Sequence, residues 1–207
     1  MKNRPLNIFG TGGHAKVVFE TAKLSDQLID GFYDDNKKMH KKIYCGVEVK
    51  GPINSLTNAD AIIAIGDNKV RQNICNGSKD INWITLIHLS AIIAANVEIG
   101  DGSLIVAGAI IQPGTKIGNH CIVNTNASID HDCEINDFVH ISPSATLCGN
   151  ILVGEGTLIG AGATIIPNIK IGKWCIIGAG AVINKEIPDY SLVVGVPGRI
   201  IKHLNYD

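Results

Sequence analysis

The sequence predicts an α/β amino-terminal domain followed without a linker by an all-β solenoid, and three observations carry that prediction. The 207 residues hold 34 Ile against 12 Leu, 23 Gly, and only 5% aromatic residues. A helical bundle favours Leu and avoids Gly, so this balance points to β structure with many tight turns. From Ile93 to Ile183 an aliphatic residue returns at every sixth position, sixteen times in sixteen. Residues 1–86 break that period and instead alternate apolar runs with Gly-rich turns.

In the amino-terminal part, Leu6–Phe9 reads as a strand, followed by Gly10-Thr11-Gly12-Gly13-His14-Ala15 and a helix from about Lys16 to Leu24. Leu28–Tyr33 is a second strand ending in Asp34-Asp35. Ala61–Ile65 is a third, followed by Gly66-Asp67-Asn68 and a helix through Cys75, and Ile81–Ile87 leads into the repeat. Strand, Gly-rich turn, helix and strand, with an acidic pair about twenty residues past the glycines, is a Rossmann-like βαβ arrangement. Such a turn presents backbone N–H groups and a helix N-terminus to a diphosphate. About 85 residues hold one mononucleotide half, so a nucleotide sugar fits better than a dinucleotide. Gly12, Gly13, His14, Gly66 and Asn68 are the candidate substrate contacts, with Asp34 and Asp35 placed to read base or ribose. The helix dipole disfavours a cation at His14, which is expected to be neutral and hydrogen-bonding.

A period of six dictates a short strand, a turn and another short strand, with one side chain per hexad pointing into a common interior. Four residues after each aliphatic position stands a small or β-branched residue, among them Cys121, Cys133 and Cys175. These three cysteines are expected in inward slots. The six Cys form no C-x-x-C pair and no zinc spacing with His, so they read as reduced thiols and no metal is expected.

A formal charge of −1, from 18 basic and 19 acidic residues, argues against a nucleic-acid surface. The cluster Lys37, Lys38, His40, Lys41 and Lys42 reads as a solvated loop. There is no secretory signal pattern and no apolar run of membrane-spanning length, so no membrane partner and a cytoplasmic location are expected.

The unbroken hexads resemble the hexapeptide-repeat family, whose fold is a left-handed parallel β-helix with three hexads to a triangular coil. Sixteen hexads would make a little over five coils, roughly 25 Å tall at about 4.8 Å per coil. So narrow an interior accounts for the scarcity of rings. The whole chain is similar to the sialic-acid O-acetyltransferase and nucleotide-4-amino-sugar N-acetyltransferase family (NeuD/PglD-like). The matching segments are 8–14, Phe32-Tyr33-Asp34-Asp35, 64–71, and Ile87-His88-Leu89-Ser90-Ala91. Residues 124–133, His140-Ile141-Ser142-Pro143 and Gly195-Val196-Pro197-Gly198-Arg199 complete the pattern. Leu89 departs from the usual Pro and Gly198 from the commoner Ala. The resemblance implies a nucleotide-sugar-binding domain over 1–86, and a catalytic, acetyl-CoA-binding β-helix over 87–207 that ends in a short tail.

The resemblance further implies transfer of acetyl from acetyl-CoA to the 4-amino group of a nucleotide-linked sugar, with UDP favoured, in bacterial surface-glycan or glycoprotein sugar biosynthesis. O-acetylation of sialic acid or a related nonulosonic acid is the alternative. By resemblance His131 is the general base and Asp132 the carboxylate that orients it, while Asn124 touches the sugar amine. His140, Gly149, Ala161 and Ala179 are implied coenzyme contacts, with Lys185 and Arg199 at the CoA phosphates. The family's active sites lie between subunits of a homotrimer. Cys133, in an inward slot, argues for direct attack over an acetyl-cysteine route. A γ-type carbonic anhydrase shares the helix, but His120, His131 and His140 fall at different hexad positions and miss its ligand spacing. A non-enzymatic nucleotide-sugar sensor would bind the sugar and release no CoA.

Overall fold

The structure is a computed structural model that describes residues 4–205. The amino-terminal domain runs β1 (Leu6–Phe9), α1 (Gly13–Leu24), β2 (Ile29–Tyr33), β3 (Ile43–Tyr44), β4 (Val47–Gly51), β5 (Ala59–Ile63), α2 (Asn68–Gly77) and β6 (Ile81–Trp83). Its six strands lie in the order β3-β4-β2-β1-β5-β6, parallel except for the β3–β4 hairpin. A parallel sheet is covered on both faces, which explains why Leu6, Ile8 and Phe9 are all fully buried. The β3–β4 hairpin has no strong sequence signal, because its turn runs through Cys45 at φ +50° as well as Gly46.

The run Ile81–Ile87 leads into the repeat in two pieces. It splits into β6, which pairs with β5, and Leu86–Ile87, which pairs with Leu104–Ile105 as the first rung of the solenoid. Each later rung pairs in parallel with the rung eighteen residues on. Three faces result. The first carries Leu86–Ile87, Leu104–Ile105, Ile122–Val123, His140–Ile141, Leu158–Ile159 and Ile176–Ile177. The second runs from Ile92–Ile93 through Ser128–Ile129 to Val182–Ile183, and the third from Glu98–Ile99 through Glu134–Ile135 to Lys170–Ile171. This is the parallel β-solenoid that the hexapeptide period demands.

The second residue of each central rung fills the interior, with Ile105, Ile111, Val123, Ile129, Ile141 and Ile159 at zero exposure. Cys121, Cys133 and Cys175 occupy inward slots, each about 1% exposed and directed at a main-chain carbonyl of the next coil. The outward residue differs from face to face. On the third face Glu98, Lys116, Glu134 and Lys170 are exposed charges, so that face is solvated. On the first face Leu86, Leu104 and Ile122 pack into one core with Ala15, Val18 and Ala22 of α1 and with the sheet residues Leu6 and Ile8. The amino-terminal domain is thereby seated on the solenoid. On the second face Ile92, Ile110, Ser128, Thr146, Thr164 and Val182 carry no charge.

The carboxyl-terminal segment is more than a short tail. Ser191–Val194 extends the first face by pairing with Ile176–Ile177, and Arg199–His203 folds back antiparallel on it. Among the described residues, no helix is long and apolar enough to cross a membrane.

Candidate active site

The expected site residues fall on two edges of the prism. The edge between the second and third faces carries His131 and Asp132. A main-chain turn brings the pair together, since Asp132 sits at φ +57° and its Oδ2 lies 2.8 Å from His131 Nδ1. The neighbouring coils leave room for both side chains. A Cβ on Gly149, eighteen residues later, would stand 2.6 Å from His131 Cε1 and Nε2, and one on Gly114, eighteen earlier, would stand 2.5 Å from Asp132 Oδ1. Gly114 also has φ +76°, which excludes most side chains independently. The bond to Asp132 raises the His131 pKa above its ordinary value, and Asp130 adds to this. With Nδ1 tied to the carboxylate, Nε2 is the nitrogen free to move a proton. The main-chain contacts follow the same column, where His131 accepts from the Asn150 N–H, and Lys185 sits three coils on from His131.

The edge between the first and second faces carries Asn124, Ala161 and Ala179, the two alanines exposed. His140 stands on the first face beside it and is half-buried against the amino-terminal domain. Thr125 N–H donates to Asn124 Oδ1 at 2.8 Å, which fixes the amide and leaves Nδ2 to donate to His140 Nε2 at 3.0 Å. His140 Nδ1 must then carry the proton, and it donates to the Gly66 carbonyl at 3.2 Å. The His14 ring lies 6.3 Å from that of His140, and its buried Nε2 has no hydrogen-bond partner. Burial first, and the Arg71 charge second, push both histidines down to about 4. His14 is thus neutral, for a stronger reason than the helix dipole. His140, expected at the coenzyme, has both ring nitrogens engaged, so it orients Asn124 and docks the Gly66 turn.

The nucleotide-binding expectations divide similarly. Asp34 Oδ2 accepts from Thr11 N and Oγ1, at 2.8 and 2.6 Å, and its Oδ1 accepts from Asn36 N. Asp34 therefore shapes the Gly-rich turn, while Asp35 accepts from Ile53 N. Both line a cleft of about 560 Å³ with Gly10, Ile53, Ile65 and Asn73. This cleft lies in the amino-terminal domain, away from His131. Gly12 and Gly13 stand open, with nothing within 4 Å of a Cβ on either. Gly10 is the glycine that geometry requires, at φ +108° with Ile65 Cγ1 at 2.9 Å from its Cβ position. Tyr44 of the hairpin donates its hydroxyl to the Gly12 carbonyl.

Asn68 corrects the expectation of a substrate contact. Its Nδ2 donates to the Gly156 carbonyl and its Oδ1 accepts from Arg71, so the amide joins the domains. Lys185 and Arg199 are exposed near the carboxyl-terminal end of the second face, and the Arg199 guanidinium donates to the adjacent Gly198 carbonyl. Among the described residues, no group of three His, Cys, Asp or Glu could hold a metal ion.

Comparison with known proteins places this architecture. The PglD N-terminal domain matches residues 5–77, the hexapeptide repeat of succinyl-transferase residues 91–131, and the bacterial transferase hexapeptide residues 150–185. The acetyltransferase domain of PglB from Neisseria gonorrhoeae, solved with acetyl coenzyme A, is 36% identical with a TM-score of 0.88 over 96% of this chain and all of that one. PerB from Caulobacter crescentus, solved with CoA and GDP-perosamine, is 33% identical with a TM-score of 0.87 over 96% and 97%. UDP-N-acetylbacillosamine N-acetyltransferase of Bacillus subtilis is 42% identical over 118 residues, 52% of each protein. An uncharacterized protein of Acanthamoeba polyphaga mimivirus is 33% identical over 97 residues, 19% of its length. The chain thus spans about half the length of one of these curated relatives and less of the other. With two solved relatives above 30% identity matched over nearly their full length, this chain belongs to the acetyl-CoA-dependent sugar N-acetyltransferases that join a PglD N-terminal domain to a hexapeptide-repeat solenoid.

Proposed function

We propose that this protein transfers acetyl from acetyl-CoA to the 4-amino group of a UDP-linked amino sugar, with His131 as general base, in a site completed by a second subunit. The observation that carries the chemistry is the His131–Asp132 pair, with Nδ1 bound to a carboxylate and Nε2 free at an open edge. An ammonium has no lone pair, so His131 Nε2 takes a proton as the amine attacks the thioester carbonyl. A C–N bond forms, the tetrahedral oxyanion collapses, and the C–S bond breaks. The imidazolium, held by Asp132, returns its proton to the departing thiolate. Cys133 takes no part, because burial raises its thiol pKa and its Sγ points at the Cys148 carbonyl.

The two edges of the prism call for a second subunit. His131, Asp132 and Gly149 occupy one, while Asn124, Ala161 and Ala179 occupy the other with His140 beside them, and the uncharged second face lies between. A heterologous contact that closes into a ring brings one subunit's first edge to its neighbour's second. For a triangular prism we assign that ring as a homotrimer, with the pantetheine arm against Gly149 and the alanines. Lys185 and Arg199 are then placed for the CoA phosphates.

The nucleotide sugar enters from the amino-terminal domain, its diphosphate at the open Gly12–Gly13 turn and its base in the cleft beside Asp34 and Asp35. The Bacillus subtilis relative is named for a UDP sugar, whereas the Caulobacter crescentus relative holds a GDP sugar. A thiol-release assay with acetyl-CoA against UDP-, GDP- and dTDP-linked 4-amino sugars and free sialic acids decides the acceptor. Turnover with the UDP sugar, lost in His131→Ala with nucleotide binding intact, is the expected result. Turnover with sialic acids alone would replace N-acetylation by O-acetylation.

A further inference from the structure

Arg71 is a full-sized cation buried to 1% exposure between the two domains. Isolated charges are seldom placed so deep without a carboxylate partner. Here the guanidinium finds only neutral acceptors. Nε donates to the His120 carbonyl at 2.8 Å, and Nη2 to the Phe138 carbonyl and Asn68 Oδ1, both at 2.8 Å. Nη1 donates to the Ile65 carbonyl at 3.0 Å and to the Gly66 carbonyl at 3.3 Å. The acceptors come from the turn that precedes α2, from α2 itself, and from two successive coils of the solenoid. A planar fork with five donors can gather such a set, and an ammonium cannot.

Two of those acceptors frame His140. The Gly66 carbonyl receives the His140 Nδ1 proton, and Phe138 lies two residues before His140 on the same coil. An ordered relay follows, from Thr125 N–H to Asn124 Oδ1, from Asn124 Nδ2 to His140 Nε2, from His140 Nδ1 to the Gly66 carbonyl, and from Arg71 to that same carbonyl. We propose that Arg71 is a positioning residue for acetyl transfer, which clamps the Gly66 turn and the His140 coil so that His140 stays in its Nδ1–H form and aims the Asn124 amide. This rests on reading Asn124 and His140 as one half of the transfer site.

The electrostatics agree with the geometry. Burial lowers the Arg71 pKa to about 10, which still leaves a cation at neutral pH. The groups facing His140 are Arg71, the neutral His14, the Gly66 carbonyl and Asn124. Burial and the Arg71 charge both resist an imidazolium, and an Nε2–H would meet the Asn124 amide protons head on.

The test compares wild type, Arg71→Lys and Arg71→Met by nitrogen-15 NMR of the histidine rings across pH, together with kcat and KM. Wild-type His140 is expected to remain in the Nδ1–H form with no titration above pH 5. In Arg71→Met its pKa rises by about one unit or more as the cation is lost. In Arg71→Lys the charge remains without the fork, so the pKa stays low while the tautomer becomes mixed. In both variants kcat is expected to fall about tenfold or more with KM for the nucleotide sugar little changed. Should Arg71→Met not fold, Arg71→Lys alone carries the tautomer and kcat comparison. A folded variant whose His140 tautomer, pKa and kcat match wild type, with only a lowered Tm, would reduce Arg71 to a structural clamp and overturn the proposal. The NMR arm needs no turnover, so a wild-type protein inactive on every acceptor would count against the transfer reading separately.

Discussion

Gly149→Ala puts one methyl group under the catalytic ring. Its Cβ would lie 2.6 Å from His131 Cε1 and Nε2 and 3.1 Å from Cδ2. Ordinary carbon contacts begin near 3.5 Å, so the imidazole must move by about 1 Å. The backbone at Gly149 is not in the left-handed region, and the ring is exposed and free to swing away. Stability should therefore hold or rise slightly, as Gly-to-Ala changes at compatible positions add about 0.4–1 kcal/mol. The chemistry should not hold. A misplacement of about 1 Å costs on the order of 10²-fold in rate, or about 2.7 kcal/mol of transition-state stabilisation. Steady-state thiol release measures kcat and both KM values, and a thermal melt monitors folding. A fall of about 10² in kcat with Tm preserved is the expected result. Activity within about threefold of wild type, or a loss confined to the KM for acetyl-CoA, would refute the placement of His131 over Gly149.

Other outcomes follow from the same geometry. Asp132→Asn removes the bond that raises the His131 pKa, so the acid limb of the pH–rate profile moves to lower pH while kcat drops by on the order of 10² or more. An unmoved limb would mean that another group titrates. Cys133→Ala should retain turnover, measured by the same thiol release, because the thiol faces a carbonyl in the interior; loss of activity in a folded variant would favour an acetyl-cysteine. His14, His120 and His140 are each held near 4 by burial and by Arg71, against an ordinary value of 6.5. For bases with depressed folded-state values, the stability is full above pH 6.5 and is lost as the pH falls toward 4. Thermal melts should show Tm declining across that window, and less steeply in His140→Gln; parallel curves would contradict a neutral buried His140.

The solenoid was legible because a narrow interior accepts only aliphatic and small residues, and that constraint repeats with every hexad. The inward cysteines followed from the same register. The first rung was less legible. Leu86–Ile87 obeys the period, yet it precedes the series that begins at Ile93, and Ile81–Ile87 reads only as an approach to the repeat. The joint between domains left even less trace. Arg71 lies inside a recognisable segment, but nothing local says that its acceptors are carbonyls at His120 and Phe138, 49 and 67 residues away. Asn68 looked like a polar turn residue open to ligand for the same reason. The site itself was misleading in one respect. His131 stands seven residues from Asn124 and nine from His140, which suggests adjacency, but a six-residue period moves the chain to a new edge within that distance. Residues eighteen apart are the true neighbours, as Gly114, Asp132 and Asn150 or His131 and Gly149 illustrate.

Complementation between two inactive subunits tests whether the site is shared between neighbours. His131→Ala disables one edge and Asn124→Ala the other, and each protein alone should lack acetyl transfer. Co-expressed in equal amounts and purified together through different tags, they should recover about a third of wild-type activity, since a shared site needs one intact edge from each neighbour and every mixed trimer has such a pairing at one of its three interfaces. A mixed assembly as inactive as its parents would contradict a site built between subunits.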